Sequence, residues 1–162
     1  MTDLSHLVPL AERTLALARA RDVTLVTAES CTAGKLSALL SEAPGAAEHL
    51  QGGFVAYTKA NKIKSLGISE ELLREKGAVC CDVAVAMAQG ALARSPADLA
   101  VSITGVAGPD PDEDGNPVGL VWIAVARKDG KPRHVEMRYG SIGRETVQAR
   151  DGGRPRRAYR PA

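Results

Sequence analysis

Between Thr24 and Thr104, short runs rich in strand-favouring residues alternate with stretches whose apolar residues recur at helical spacing, and this alternation restricts the chain to α/β architectures. Leu7, Leu10, Ala11, Leu15 and Ala18 form a helical stripe within residues 4–21. Residues 24–28 read as a short strand. Leu36, Leu39 and Leu40 share one face of a helix expected over 32–42, which Pro44 and Gly45 end. Residues 53–58 read as a second strand and 61–66 as one short helix. Ser69, with Leu72 and Leu73 behind it, starts a capped helix that Gly77 closes. Residues 82–94 are Ala-rich and helical, and 99–104 form a continuous apolar run of strand type. After a loop dense in Gly, Pro and Asp over 106–117, residues 118–127 and 134–139 flank Asp129-Gly130, a hairpin signal. A further helix starts at Gly143. The order predicts a three-layer α/β/α sandwich with a mixed, mostly parallel sheet. It forms a single domain over 1–150, followed by a basic, disordered tail over 151–162.

Hydrophobic residues make up 44 % of the chain but aromatics only 3 %, so the core must be built from Val, Leu, Ile and Ala, as suits a sheet covered by helices. No run reaches the roughly 18 apolar residues of a membrane span. The first ten residues carry Asp3 and His6 and do not read as a signal peptide. The expectation is a cytoplasmic protein with no membrane partner. Cys31, Cys80 and Cys81 are odd in number, two of them adjacent, with no C-x-x-C pair, and His6, His49 and His134 are scattered. Neither a metal nor a cofactor is expected. The net charge of +2 is a property of the tail, where residues 150–162 hold five arginines against one aspartate. The remainder is net negative, so the basic balance says little about the domain's ligand, and nucleic acid is not the expected partner.

The stretch Thr27-Ala28-Glu29-Ser30-Cys31-Thr32-Ala33-Gly34 lies where a strand gives way to a helix, the usual ligand position in α/β sheets. A serine there can be raised on the turn, and helix N-terminal amides nearby can hold an anion. Equally, Ser30 or Thr32 can simply cap the helix. Thr104 ends an apolar strand, and Gly105 to Pro109 make a turn that can offer a hydroxyl and N–H groups to a phosphate or oxyanion. Asp110, Asp112, Glu113 and Asp114 lack cation-loop spacing and read as a solvated acidic loop. Taken alone, Lys62 and Arg144 read as surface residues, and Tyr57 as a half-buried aromatic at a strand end.

The string Thr-Ala-Glu-Ser-Cys-Thr resembles the signature of the CinA C-terminal domain family, known also for nicotinamide-nucleotide amidohydrolase activity. Three later segments match in order: Gly52 to Thr58 with Lys62 after it, Gly77-Ala78-Val79, and Ile103 to Pro109 followed by Pro117-Val118-Gly119. The resemblance runs from about residue 10 to about 150. It implies hydrolysis of the carboxamide of nicotinamide mononucleotide to nicotinic acid mononucleotide and ammonia. Ser30 would be the nucleophile and Lys62 its base, with Tyr57 hydrogen-bonding one of them. Thr32, Gly34, Thr104, Gly105 and Arg144 would bind substrate, Arg144 at the phosphate, and amides within 31–34 or 104–106 would hold the oxyanion. Cys31 is a rival nucleophile. The departures are Ala33 for the family's usual glycine, Cys80 for its serine, and a chain end in which a long amphipathic helix gives way to Gly- and Pro-rich sequence. The family's additional N-terminal domain is not expected here. Alternatives are a catalytically impaired nucleotide- or phosphate-binding module, or a competence or DNA-damage accessory protein. A homo-oligomer is compatible with any of them.

Overall fold

The computed structural model describes residues 3–151 of the 162. A single 3-10 turn, Ser5–Leu7, leads into α1 (Val8–Ala20), where Pro9 occupies a first-turn position that leaves its missing N–H without consequence. There follow β1 (Leu25–Glu29), α2 (Lys35–Ser41), α3 (Ala46–His49), β2 (Leu50–Val55), α4 (Lys59–Leu66), α5 (Glu70–Lys76) and α6 (Cys81–Ala93). The chain continues through β3 (Leu99–Gly105), β4 (Leu120–Arg127), β5 (Arg133–Arg138) and α7 (Arg144–Asp151). The strands form one sheet in the order β2-β1-β3-β4-β5. β1 runs parallel to both neighbours, β4 is antiparallel to β3, and β5 antiparallel to β4. Four strands therefore point one way and β4 alone opposes them, the mixed sheet that the sequence predicts.

Side-chain alternation assigns the two faces. Val26 and Ala28 of β1, Ala100 of β3 and Ala124 and Ala126 of β4 pack with Val83, Ala84, Met87, Ala88 and Ala91 of α6. On the other face, Leu25 packs with Leu15 of α1 and Leu39 and Leu40 of α2. Small residues let the α6 layer approach closely. At Gly90 even a Cβ would stand 2.2 Å from the Leu66 carbonyl oxygen of α4, so α4 and α6 touch backbone to backbone there.

Several boundaries differ from expectation for local reasons. α2 starts at Lys35, not 32, because residues 30–34 reverse the chain with Ala33 at φ 52° and Gly34 at φ 92°. α3, only four residues, is too short for spacing to reveal. β2 lies at Leu50–Val55, not 53–58, because Thr58 accepts from the Asn61 amide as the N-cap of α4 and draws the chain off the strand. Three helices separate β2 from β3, at the segments expected over 61–66, 69–77 and 82–94. The hairpin around Gly130 and the helix capped by Ser69 and closed by Gly77 stand as expected. α7 runs one residue past 150, and the rest of the expected tail lies outside the described residues. No described helix is long and apolar enough to cross a membrane.

Candidate active site

Paired registers bring the ends of β1, β2 and β3 level, with Glu29 opposite both Val55 and Ile103. Ser30, one residue beyond, is tied back to β3 by its amide bond to the Ile103 carbonyl (2.9 Å), and the Ala56 amide bonds the Glu29 carbonyl (2.8 Å). The turn thus sits at the carboxyl edge of the parallel strands.

α4 carries Lys62 to this turn. Its side chain is 1 % exposed and its Nζ donates to Ser30 Oγ at 2.8 Å, to the Ala56 carbonyl at 3.0 Å and to the Tyr57 carbonyl at 3.5 Å. No carboxylate is among these acceptors. Burial therefore dominates and pushes the ammonium down from 10.5 to about 8; Cys31 opposes this, and the charge of Lys59 adds to it. In the neutral amine the two carbonyls hold the two hydrogens, which leaves the lone pair facing the Ser30 hydroxyl. That is the arrangement a lysine needs to take a proton from serine.

The other expected residues separate into two sets. Tyr57 and Arg144 meet each other at the surface. The Tyr57 phenol, on a side chain 49 % exposed, accepts from Arg144 Nη2, and Arg144 Nη1 donates to the Gly108 carbonyl at 3.3 Å. Tyr57 thus accepts from Lys62 through its backbone carbonyl, while its hydroxyl, expected at Ser30 or Lys62, meets Arg144. The remaining residues turn inward. Thr32 is fully buried and donates to Glu29 Oε2 at 2.6 Å, and the Gly34 amide donates to the same oxygen at 3.0 Å. Thr104 is buried and its hydroxyl donates to the Ala78 carbonyl at 2.8 Å. Gly105 is a ladder residue opposite Val121, where a Cβ would lie 2.7 Å from the Leu120 carbonyl oxygen. Among the candidate oxyanion amides, Ala33 donates to Ser30 O and Val106 to Leu120 O. Cys31 packs with Ile103, Ala107, Val121 and Val147.

Glu29 is the residue the sequence reading passed over. It is 0 % exposed and accepts from Thr27 Oγ1, Thr32 Oγ1 and the amides of Gly34, Leu36 and Ser37. Neither Ser30 nor Thr32 caps α2; the Glu29 carboxylate does, so the anion at this helix start belongs to the protein itself. A charged residue at the end of the apolar run Leu25-Val26-Thr27-Ala28 was the available signal. Gln148 of α7, which donates to the Cys31 carbonyl at 2.6 Å, gave none. Asp114, expected in a solvated acidic loop, also lies against the fold. It accepts from Lys59 Nζ (3.0 Å) and the Ala78 amide (3.2 Å), so the acidic loop is pinned beside the site and not merely solvated.

A serine on a strand-to-helix turn, bonded to a buried lysine from the next crossover, defines an α/β sandwich with a Ser–Lys pair at the edge of its sheet. The sequence profile of the CinA C-terminal domain matches residues 7–151. Nicotinamide-nucleotide amidohydrolase PncC of Escherichia coli K12 is 43 % identical over 131 residues, 81 % of this chain and 79 % of that protein. A Caldicellulosiruptor bescii protein named as competence-damage inducible is 43 % identical over 74 % of this chain, which spans only 29 % of that protein's length. The crystal structure of competence/damage inducible protein CihA from Agrobacterium tumefaciens superposes with a TM-score of 0.84 at 40 % identity, covering 88 % of this chain and 87 % of that one. The chain belongs to the CinA C-terminal domain family.

Proposed function

We propose that this protein is a cytoplasmic amidohydrolase that converts nicotinamide mononucleotide to nicotinic acid mononucleotide and ammonia. One observation carries the chemistry: a buried lysine whose proton affinity is lowered to about 8 lies 2.8 Å from a serine at the ligand-binding edge of the sheet. The substrate comes from the likeness to PncC.

Lys62 as free amine takes the Ser30 proton while Oγ attacks the amide carbon. The tetrahedral oxyanion collapses as the Lys62 ammonium returns its proton to the leaving nitrogen, and ammonia departs. Water, deprotonated by the same amine, then cleaves the ester and restores Ser30. The exposed Arg144 guanidinium beside Tyr57 suits the substrate phosphate, since a fork of donors matches phosphate oxygens.

The test is ammonia release from nicotinamide mononucleotide by the purified chain, with Ser30→Ala and Lys62→Ala beside it. Each substitution should cost about 10³-fold or more in kcat, and the pair together little beyond either alone, because the two side chains act as a unit. A folded wild type that releases no ammonia, yet is raised in Tm by the nucleotide, would be a binding module instead.

A further inference from the structure

α7 presents Arg144, Val147 and Gln148 at spacings of three and four, so all three lie on one face. Val147 is fully buried against Cys31, Ile103, Ala107 and Val121. Gln148, 5 % exposed, sends its amide N–H to the Cys31 carbonyl at 2.6 Å. The bond crosses 117 residues of sequence to reach the Cys31–Thr32 peptide, one residue beyond the nucleophile.

Which side of that peptide Gln148 holds decides what the other side can do. α7 packs against α2, on the sheet face that also carries Glu29. The Cys31 carbonyl is therefore drawn toward the α2–α7 side. A trans peptide is planar with C=O and N–H directed oppositely, so the N–H of the same unit, that of Thr32, is directed away from α7. The side opposite α7 is where Ser30 Oγ meets Lys62. Three neighbouring amides of the turn are engaged elsewhere: Ser30 with Ile103, Ala33 with Ser30 and Gly34 with Glu29. The Thr32 amide has no acceptor among the described residues.

We propose that Gln148 is a positioning residue, which by gripping the Cys31 carbonyl aims the Thr32 N–H at the oxyanion formed on attack by Ser30. This deepens the amidohydrolase reading and rests on its assignment of Ser30 as nucleophile. Thr32 then serves through its backbone, while its hydroxyl stays with Glu29.

The test pairs two readouts on the full chain. The first is the rate at which a fluorophosphonate labels Ser30: Oγ bonds to phosphorus, fluoride leaves, and the serine proton passes to Lys62. This rate senses the nucleophile and the oxyanion donor whatever the natural substrate. The second is ammonia release from nicotinamide mononucleotide. Gln148→Met keeps the side chain's length and removes its donor. It should slow labelling and lower kcat by about 10–100-fold, somewhat less than outright loss of an oxyanion donor. KM should stay within about threefold, because substrate binding in the ground state is untouched. Gln148→Arg, which restores an N–H of similar reach, should recover most of the rate. If Gln148→Met does not fold, Gln148→Asn, whose amide falls one methylene short, takes its place with the same expectation. Labelling that is equally fast in wild type and in the variant lacking the donor overturns the positioning role, as does a wild type that is never labelled at Ser30. Slowed labelling of the variant alongside a wild type that releases no ammonia would sink the amidohydrolase reading and leave the role of Gln148 standing.

Discussion

Glu29 and Lys62 are both ionisable and both buried at the end of the same strand, on opposite faces of the sheet, and the fold provides for them in opposite ways. On the α2 side Glu29 meets five donors, three of them backbone amides at the start of a helix whose dipole favours a negative charge. On the α4 side Lys62 meets one hydroxyl and two carbonyls with no anion opposite, and burial drives its proton affinity down. The first arrangement stabilises a charge and fixes a turn. The second leaves a charge poorly provided for, which is the condition a base requires. A buried ionisable group is therefore not evidence of catalysis in itself; its complement of partners decides whether its charge is stabilised or its proton affinity is shifted.

The sharpest way to break this contrast is to neutralise each side chain without changing its size. Glu29→Gln places an NH₂ against backbone amides that can only donate and should destabilise the protein by about 4 kcal/mol, the scale seen when one side of a buried charge network is removed. Denaturant unfolding checks it. A loss below about 1 kcal/mol would mean the five bonds contribute no more than an ordinary polar contact, and the distinction between the two sites would collapse.

Lys62→Met should move stability the other way while abolishing turnover. The folded protein binds the Lys62 proton less tightly than the unfolded chain, about 8 against 10.5. Below pH 8 folding carries the full cost of burying the ammonium. Between pH 8 and 10.5 the unfolded chain keeps a proton the native state has released, so that cost shrinks as pH rises. At pH 7 the methionine variant should be more stable by at most roughly 3 kcal/mol, part of it offset by carbonyls left unpaired, and the gain should fade towards pH 10.5. Paired thermal melts at pH 7 and pH 10 read the difference. The activity of the unaltered chain should carry the same signature, with kcat/KM rising through an apparent pKa near 8. A stability gain that does not vary with pH would show that folding leaves the proton affinity of Lys62 unshifted, and the poised base would have to be reconsidered.

The two halves of this contrast were unequally legible in the sequence. The layer order followed from alternating runs, because burial imposes period two on strands and a helical stripe on helices whatever the ligand. Ser30 and Lys62 were found as a pair only through motif order, since nothing local distinguishes Lys62 from Lys59 or Lys64. What puts it inside is the Thr58 cap, which sets the phase of α4 and turns Lys62 and Leu66 to the core. Glu29 was overlooked because its partners are mostly backbone amides, which have no letter in the sequence. Thr32 and Thr104 looked like ligand donors for the converse reason: a hydroxyl at a strand end is the same letter whether it faces substrate or satisfies a neighbouring carboxylate or carbonyl.

The smallest expected effect falls within the Glu29 turn itself. Ala33 holds φ 52° immediately before Gly34 at φ 92°, two left-handed residues in succession. For alanine that conformation costs about 1–2 kcal/mol, whereas glycine adopts it freely. Against this, a glycine adds about 0.5–1 kcal/mol of backbone freedom to the unfolded chain, so Ala33→Gly should stabilise by no more than about 1 kcal/mol, a Tm rise of a few degrees for a chain of this length. Because the Gly34, Leu36 and Ser37 amides and the Thr32 hydroxyl already hold the turn on Glu29, kcat should not change. A fall in kcat with Tm unchanged or raised would show that the methyl group of Ala33, and not the carboxylate beneath it, keeps the turn in its reactive shape, and the scaffold would then be shared between the two residues.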